Sequence, residues 1–417
     1  MAVIDTLLER KLEALTLPLA VVLPDGHRIG PAGAAITMRL KQLSPLAHIA
    51  AGEVGKVAQD YVEDKLDFDG SVRDLMMIAT QMIGTDPTKD GGASPTLNWL
   101  REIRLNARSR ARHQVQSDAQ QVQFHYDVSD AFYDLWLDPM RLYSCAYFRD
   151  AAMSLAQAQQ AKLDHICRKL MLKRGERFLD IGAGWGGLLF WAAREYGVRA
   201  HGITLSRNQH EHVNRQIDAL GLTGQVTMEL RDYRELPEGQ PYDKIASVGM
   251  FEHVGRTQLP EYFAKIHRLL KPGGLLMNHG ITAGGTRNHQ LGAGMGDFID
   301  RYIFPGGELV HVAKVTEVMS EAQFEPLDLE NLRPHYARTL WAWSDALEGR
   351  LAQARAVTRE SVVRAYRLYL AGSAMGFEQG WMALFQMLAA KPSGVIGEGA
   401  MRGAQSEFPF NRGYMYG

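Results

Sequence analysis

The segment LDIGAGWGG, residues 179 to 187, constrains the fold of this chain more than any other stretch. The apolar run that ends at Asp180 is typical of a strand, and the residues after the glycines are typical of the start of a helix. Glycine adopts left-handed backbone and leaves no side chain in the way, so such a turn lets the backbone approach a ligand. The segment predicts either a nucleotide-like cofactor site or a tight turn that only packs.

The spacing of the glycines separates two kinds of cofactor. Gly182, Gly184 and Gly187 satisfy the pattern GxGxxG, but a dinucleotide site also needs an acidic residue about 20 positions further on to bind ribose. The residue at that place is Thr204. The form DxGxGxG, which begins at Asp180, is instead typical of the S-adenosylmethionine methyltransferase sheet. The segment therefore favours S-adenosylmethionine over a nicotinamide cofactor.

The order of predicted elements indicates the fold class. From Arg177 onward, β-type runs such as RFLDIG and VRAHGITL alternate with helical ones such as GLLFWAAREYG. This alternation predicts an α/β fold with a parallel sheet. Residues 17 to 83 mix short apolar runs with the helical SVRDLMMIATQMIG, and TDPTKDGGASP (85 to 95) has the composition of a linker. A small α+β domain is thus predicted before the sheet.

These patterns give predicted boundaries for the whole chain. An N-terminal domain covers residues 1–95, a linker with a basic helix covers 96–124, a methyltransferase domain covers 125–392, and a glycine-rich tail covers 393–417. Residues 368–388 form the most apolar long segment, LYLAGSAMGFEQGWMALFQML. Glu378 and Gln379 interrupt it, so we expect a buried helix and not a membrane span.

Composition excludes several classes of protein. A formal net charge of −1, with 46% hydrophobic and 22% charged residues, argues against a disordered chain and against nucleic-acid binding. The two cysteines, Cys145 and Cys167, have no disulfide-framework or zinc-ligand spacing, so we expect a reducing compartment and no metal. The N-terminus lacks the plan of a secretory signal, and a cytoplasmic location is expected. Cys167 lies on the apolar side of a helical pattern and is expected in the core.

Several stretches together resemble one family, the cyclopropane fatty acid synthases, which include the mycolic acid cyclopropane synthases. The resemblance covers nearly the whole chain. It rests on HYDVSDAFYDLWLDP (125–139), YSCAYF (143–148), LDIGAGWGG, ITLSRNQ (203–209), FEHVG (251–255), the NHG around His279, YIFPGGEL (302–309) and HYARTLWAW (335–343). The N-terminal part is similar to the extra domain of the longer bacterial members. YSCAYF is more similar to the mycolic acid branch than to the phospholipid branch.

The resemblance implies a class I, Rossmann-like sheet of seven strands with helical insertions. It also implies transfer of a methyl group from S-adenosylmethionine to the cis double bond of a phospholipid acyl chain, with closure to a cyclopropane ring. In the family a bicarbonate ion is the proposed base, and the residues that hold it match Cys145, Glu252, His279 and Tyr336, with backbone near Val248. Because a thiolate beside a sulfonium would itself risk methylation, we expect Cys145 to remain a thiol.

Cofactor residues follow from the same resemblance. Tyr143 and Ser144 match contacts near the methionine portion, Thr204 and Gln209 match ribose contacts, and Tyr233, with Asp232 nearby, matches an aromatic position over adenine. The glycine loop supplies Asp180, Gly182, Gly184 and Gly186, with Ala183 where the family usually has cysteine. A loop aromatic that closes the edge of the core is the alternative interpretation of Tyr233.

Two further predictions concern partners and outcome. The arginines 101, 104, 108, 110 and 112 form a local positive patch, which is either a solvated helix face or a contact with anionic head groups of a membrane. We expect a peripheral membrane protein, and the N-terminal domain is expected to supply either the membrane contact or the interface of a homodimer. Two alternatives to ring closure remain open: C-methylation that leaves a methylene or methyl branch, and a non-catalytic lipid-binding protein that keeps the fold.

Overall fold

The computed structural model describes residues 12–84, 88, 106–107, 109, 129–286, 292–393, 409 and 411–416. These residues form a small mixed sheet near the N-terminus and a larger sheet that follows it. The basic span 101–112 lies almost entirely outside the described residues, as does most of the glycine-rich tail.

The N-terminal part is a four-stranded sheet packed against helices. Its strand order is β2-β1-β3-β4, with β1 and β3 parallel and the other neighbours antiparallel. The strands are β1 (Leu19–Val22), β2 (Arg28–Ile29), β3 (Ile36–Leu40) and β4 (Leu66–Asp69), and the helices are α1 (Ser44–Ala51), α2 (Val54–Val62) and α3 (Val72–Ile83). Ser71 caps α3 by accepting hydrogen bonds from the backbone N–H groups of Arg73 and Asp74, and left-handed Gly84 ends it.

The larger sheet has seven strands in the order β10-β11-β9-β8-β5-β6-β7. The five strands from β9 to β7 are parallel, and β10 and β11 pair antiparallel at the other edge. The strands are β5 (Arg177–Ile181), β6 (Arg199–Thr204), β7 (Val226–Leu230), β8 (Tyr242–Val248), β9 (Leu270–Ala283), β10 (Glu325–Asn331) and β11 (Met382–Ala390). The predicted seven-stranded α/β fold is confirmed.

Helices cover both faces of this sheet and extend beyond it. They are α4 (Asp130–Tyr133), α5 (Leu155–Lys169), α6 (Gly187–Tyr196), α7 (Arg207–Ala219), α8 (Leu259–Leu269), α9 (Met295–Tyr302), α10 (Val312–Glu321), α11 (Arg333–Glu348), α12 (Leu351–Val357), α13 (Glu360–Glu378) and α14 (Gly413–Tyr416), with 3-10 turns at Tyr233–Glu235 and Phe251–His253. Cys167 is fully buried on α5, as predicted.

The apolar segment 368–388 differs from its prediction as one buried helix. Helix α13 ends at Glu378, Gly380 adopts φ +74°, and the chain returns as strand β11. That strand pairs with β9 on one side and β10 on the other. Strand β11 lies inside the sheet and is mostly buried on both faces. The periodicity of its sequence therefore does not distinguish a strand from a buried helix. No helix in the described ranges is long and apolar enough to cross a membrane.

Helix α13 joins the two parts of the molecule. The guanidinium of Arg364 donates to the backbone carbonyls of Tyr61 and Leu66 at 2.9 and 3.2 Å and pairs with Asp67 at 2.9 Å. The guanidinium of Arg367 donates to the Tyr61 hydroxyl at 2.5 Å. Because both arginines are at least nine-tenths buried, these contacts fix the small sheet against the larger domain.

Candidate active site

Two cavities meet beside the carboxyl ends of the parallel strands, where ligands bind in open α/β sheets. The glycine-loop cavity, of about 140 Å³, lies over the turn after β5. The large cavity, of about 260 Å³, lies between the two parts of the molecule. Four residues line both cavities: Tyr143, Ser144, Gly249 and His253. The two cavities therefore adjoin at these four residues.

The glycine-loop cavity contains most of the predicted cofactor residues. Gly182, Gly184 and Gly186 all have positive φ, and the backbone N–H groups of Gly182 and Ala183 donate to the carbonyl of Ile203. The walls include nine of the ten predicted residues: Tyr143, Ser144, Asp180, Gly182, Gly184, Thr204, Gln209, Asp232 and Tyr233. Gly186 is not among them, because it sits at the N-cap of α6 and faces Phe190 and Val213. Gly187 lines the cavity in its place.

Polar contacts hold the far side of this cavity. The hydroxyl of Thr204 donates to Oε1 of Gln209 at 2.8 Å, and Ser206 caps α7 so that Gln209 lies in its first turn. The carboxylate of Asp232 accepts two hydrogen bonds from the guanidinium of Arg234, at 2.6 and 2.8 Å. Tyr233 stands edge-on to Tyr262 with ring centroids 5.2 Å apart. Tyr233 thus both closes the core edge and lines the cavity.

Asp180 carries a carboxyl group that the protein does not fully satisfy. It is 2% exposed, and its Oδ1 atom has no hydrogen-bond partner among the described residues. Burial raises the pKa of Asp180 to about 7, although the nearby charge of Lys162 opposes that rise. A ligand that donates a hydrogen bond or carries positive charge would complete this site.

Cys145, Glu252, His279 and Tyr336 all line the large cavity, as a shared anion site requires. The Cys145 thiol is fully buried and donates to the carbonyl of Ala146 at 3.2 Å. Burial raises the pKa of this thiol well above its ordinary value. Cys145 is therefore a neutral thiol at neutral pH, as expected from the risk of self-methylation.

Glu252 projects from the 3-10 turn after β8. Its Oε1 atom accepts a hydrogen bond from the backbone N–H of Ile281 at 2.7 Å, and its Oε2 atom has no partner among the described residues. Burial raises the pKa of Glu252 to about 7 against the effect of the Ile281 hydrogen bond. A Cβ atom on Gly280 would come within 2.2 Å of the Phe251 ring and 2.9 Å of Oε1. Only glycine at 280 allows this approach.

His279 lies on β9 opposite Gln386 of β11. The Nε2 atom of Gln386 lies 3.3 Å from Nδ1 of His279, and both side chains are buried. Burial, together with the charges of Lys162 and Lys169, lowers the pKa of His279 well below its ordinary value, so the ring is neutral. When Gln386 donates to Nδ1, the ring proton is on Nε2, which has no partner among the described residues.

The structure tests whether these residues fit the implied ligands. A bicarbonate ion can both donate and accept hydrogen bonds, and the large cavity offers the unpaired Oε2 of Glu252 as an acceptor and Nε2–H of His279 as a donor. S-adenosylmethionine needs close approach to backbone without side chains in the way, which the glycine turn allows, and a partner for positive charge, which Asp180 provides. Both groups therefore fit. Val248, expected beside the bicarbonate ion, lines the glycine-loop cavity instead, and its neighbour Gly249 lines both cavities.

Sequence reasoning missed two parts of the site. Lys162 of α5 lines the glycine-loop cavity, although a lysine within a helical pattern ordinarily indicates a solvated face. Side chains of the N-terminal part, among them Tyr61, Phe68 and Met76, line the large cavity. The periodicity of those segments predicts burial but does not show what the buried face contacts.

Comparisons with known proteins agree with this geometry. The family described as mycolic acid cyclopropane synthetase matches residues 113–387. A probable fatty acid methyltransferase of Pseudomonas putida is 42% identical over 383 residues, which cover 91% of this chain and 94% of that protein.

Solved structures cover the larger domain. The cyclopropane synthase MmaA2 from Mycobacterium tuberculosis aligns with a TM-score of 0.63 and 37% identity, covering 66% of this chain and 98% of that one. The mycolic acid cyclopropane synthase CmaA1 in complex with SAH and CTAB aligns with a TM-score of 0.62, 37% identity and the same coverage. The chain belongs to the mycolic acid cyclopropane synthetase family of S-adenosylmethionine-dependent methyltransferases.

Proposed function

We propose that this protein adds a one-carbon unit from S-adenosylmethionine to the cis double bond of an unsaturated acyl chain of a phospholipid and closes a cyclopropane ring. One observation carries the proposal. The large cavity has a mostly apolar lining that includes Glu252 and His279, whose Oε2 and Nε2 atoms have no partner among the described residues, and it shares Tyr143 and Ser144 with the glycine-loop cavity. An alkene in the large cavity would lie beside a methyl donor in the other.

The shape and lining of the large cavity support an acyl substrate. Its walls include apolar side chains of the larger domain, such as Leu340 and Phe377, and of the N-terminal part, such as Ile49, Phe68 and Met76. Binding sites that are mostly apolar with a few polar groups at one end suit ligands of the same plan. An acyl chain with its double bond near Glu252 matches this distribution.

The chemistry requires a dry site with a controlled proton acceptor. S-adenosylmethionine supplies an electrophilic methyl group, and its addition to an alkene leaves positive charge on the neighbouring carbon. Water at that carbon would give an alcohol, so exclusion of solvent is essential. The buried walls around Cys145 and His279 provide that exclusion. Loss of a proton from the added methyl group then closes the ring.

We assign the base to a bicarbonate ion held by this chain's own residues. Nε2–H of His279 would donate to the ion, Oε2 of Glu252 would accept its hydroxyl proton, and the side chains of Cys145 and Tyr336 line the same space. Bound there, bicarbonate would supply a proton acceptor beside the acyl chain. Because Cys145 stays a thiol, the protein's own sulfur is a poor nucleophile toward the methyl donor, and the neutral imidazole of His279 keeps one ring N–H to donate to the ion.

Gln386→Leu tests how His279 is oriented. Leucine cannot donate to Nδ1, so the proton of the neutral ring is free to move there and Nε2 loses its role as donor. We expect kcat to fall by about 10-fold to 100-fold. The affinity for S-adenosylhomocysteine, measured by calorimetry, should not change. Gln386→Glu replaces the donor with a carboxylate that accepts from Nδ1–H, so it should also lower kcat, and an unchanged kcat in Gln386→Leu would contradict the assignment.

Ala79→Phe tests the contribution of the N-terminal part. Ala79 of α3 lines the large cavity, and a phenyl ring there would fill space that we assign to the acyl chain. We expect kcat/KM for long acyl chains to fall about 10-fold, with a smaller loss for shorter chains. Met77→Phe, on the exposed side of the same helix, should leave both values unchanged. Equal losses for all chain lengths would argue against an acyl site at α3.

A second function remains a candidate because of one comparison. The relative that matches 91% of this chain is named a probable fatty acid methyltransferase, whereas the aligned cyclopropane synthase structures cover 66% of it. C-methylation that leaves a methylene or methyl branch uses the same cofactor and cavity. From the same cation, a 1,2-hydride shift and loss of a proton from the added methyl group would give a methylene branch. Loss of a proton from the chain would give a methyl-branched alkene, and a saturated methyl branch would also need a reductant.

Mass spectrometry of the products separates the two functions. Liposomes of cis-monounsaturated phospholipid would be incubated with the protein and S-adenosylmethionine. Acyl chains heavier by one CH2 that resist hydrogenation would establish cyclopropanation, and a gain of CH2 that still takes up hydrogen would establish a methylene product. No mass change on phospholipid, with cofactor binding intact, would exclude this lipid class as the substrate.

Access to a phospholipid chain requires contact with a membrane surface. We therefore propose a protein that associates peripherally with the inner face of the membrane. The arginine span 101–112 and the homodimer stay predictions, since neither is tested by the described residues. Co-sedimentation with anionic liposomes at increasing salt, before and after charge reversal of that span, tests the first. Analytical ultracentrifugation tests the second.

A further inference from the structure

Lys162 is a buried cation at the glycine-loop cavity. It lies on α5, whose start is fixed by a capping box between Ser154 and Gln157. The side chain is 1% exposed and forms part of the cavity wall. Its neighbours in sequence, Ala161 and Leu163, are core residues. A lysine ammonium in such a place requires an explanation, because an uncompensated buried charge is costly.

The protein satisfies this ammonium only in part. Nζ of Lys162 donates to Oγ of Ser144 at 2.8 Å. Among the described residues, no carboxylate lies within ion-pair distance of Nζ. Asp138, the acidic group with the largest favourable effect on Lys162, already accepts hydrogen bonds from the backbone N–H groups of Met140 and Leu142. Burial lowers the pKa of Lys162 to about 8 despite the opposing charge of Asp138. An anionic ligand would remove this deficit.

A second unsatisfied charge of opposite sign lies in the same cavity. Oδ1 of Asp180 has no partner among the described residues, and the charges of Asp180 and Lys162 act on each other. The two groups therefore present one cation and one anion to a single ligand. An α-amino acid is the complementary zwitterion, with a carboxylate and an ammonium on one carbon. S-adenosylmethionine ends in this group.

We propose that Lys162, together with the Ser144 hydroxyl, binds the α-carboxylate of the amino-acid end of S-adenosylmethionine, while Asp180 binds its α-ammonium. Gln159, one turn before Lys162 on α5, donates to the carbonyls of Leu142 and Ser144 at 3.0 and 2.9 Å. Helix α5 thus fixes both the cation and the hydroxyl that share the carboxylate. This assignment depends on the cofactor and not on the identity of the lipid.

A cycle of ligands and variants tests the assignment by binding alone. Calorimetry would measure S-adenosylhomocysteine, which carries the zwitterion, and 5′-methylthioadenosine, which lacks it. For Lys162→Met we expect the affinity for S-adenosylhomocysteine to fall about 30-fold, and that for 5′-methylthioadenosine to change less than about 3-fold. Equal losses for both ligands would mean that Lys162 only supports the loop at Ser144, and no loss for either would also overturn the proposal.

Two further measurements test the proposal even if Lys162→Met folds poorly. The wild-type protein should bind S-adenosylhomocysteine at least about 10-fold more tightly than its decarboxylated analogue, and a smaller preference would overturn the proposal. Lys244→Met is the matched control, because Lys244 is also a buried lysine, 7% exposed on β8. It is not among the described residues that line either cavity. It should change the affinity for neither ligand. No lipid enters these measurements, so their outcome is separate from the product analysis.

Discussion

Replacing Glu252 with glutamine is expected to reduce product formation by about 100-fold or more. Glutamine has nearly the same shape, and its Oε1 atom can still accept the hydrogen bond from the Ile281 N–H. The other end changes from the unpaired Oε2 acceptor to an NH2 donor. A group that must accept the hydroxyl proton of bicarbonate is therefore lost while the fold is retained. The measurement is the turnover rate on unsaturated phospholipid under saturating cofactor.

Glu308→Gln is the matched control for this variant. Glu308 is a neighbour in space, since its N–H donates to the carbonyl of Glu252. Its carboxylate accepts hydrogen bonds from the backbone N–H of Arg256 and the hydroxyl of Ser109. Glu308 is not among the described residues that line the large cavity. We expect turnover to change by less than about 3-fold in this variant. A Glu252→Gln protein with unchanged turnover would remove Glu252 from the proposed chemistry.

Replacing Lys169 with methionine is expected to lower the free energy of unfolding by about 3–5 kcal/mol. Nζ of Lys169 is fully buried and pairs with Asp328 at 3.0 Å and with Glu330 at 2.6 Å. Nε2 of His165 donates to the Glu330 carboxylate at 2.7 Å, and Nδ1 of His165 lies 3.0 Å from the carbonyl oxygen of Met415. Removal of Lys169 leaves two close carboxylates whose remaining partners among the described residues are His165 and the largely exposed Arg412. Urea unfolding followed by tryptophan fluorescence measures the loss.

The stability lost in Lys169→Met is expected to depend on pH. Burial alone would raise the pKa of Glu330, but the hydrogen bond from His165 and the charge of Lys169 lower it to about 2. The ordinary pKa of this carboxyl is 4.5. Because its pKa is lower in the folded protein, Glu330 stabilises the fold fully above pH 4.5, and this stabilisation is lost as the pH falls toward 2. The difference between Lys169→Met and wild type should therefore be largest near neutral pH and narrow between pH 4.5 and 2.

An exposed pair provides the comparison for the buried cluster. Lys271 pairs with Asp243 at 2.6 Å, and its side chain is 42% exposed. Because solvent screens such a pair, we expect Lys271→Met to change the free energy of unfolding by less than about 1 kcal/mol. A loss in Lys169→Met as small as in Lys271→Met would mean that the cluster does not hold β10 and α14 against α5.

Local sequence patterns determined much of this protein. The turn from Asp180 to Gly187 depends on residues adjacent in the chain, since only glycine adopts its positive φ angles without strain. The alternation of strand-like and helix-like patterns after Arg177 likewise depends on local sequence, and it predicted the parallel sheet. The resemblance placed Cys145, Glu252, His279 and Tyr336 together, and all four line one cavity.

The tertiary structure decided what local patterns could not encode. Apolar periodicity predicts that a segment is buried but not which element it packs against. Residues 368–388 were therefore predicted as one helix, although the second half forms strand β11 by pairing with β9 and β10. The same limit hid the N-terminal walls of the large cavity and the buried position of Lys162. Charge and burial become informative only when residues distant in sequence meet, because desolvation and pairing depend on distances in space.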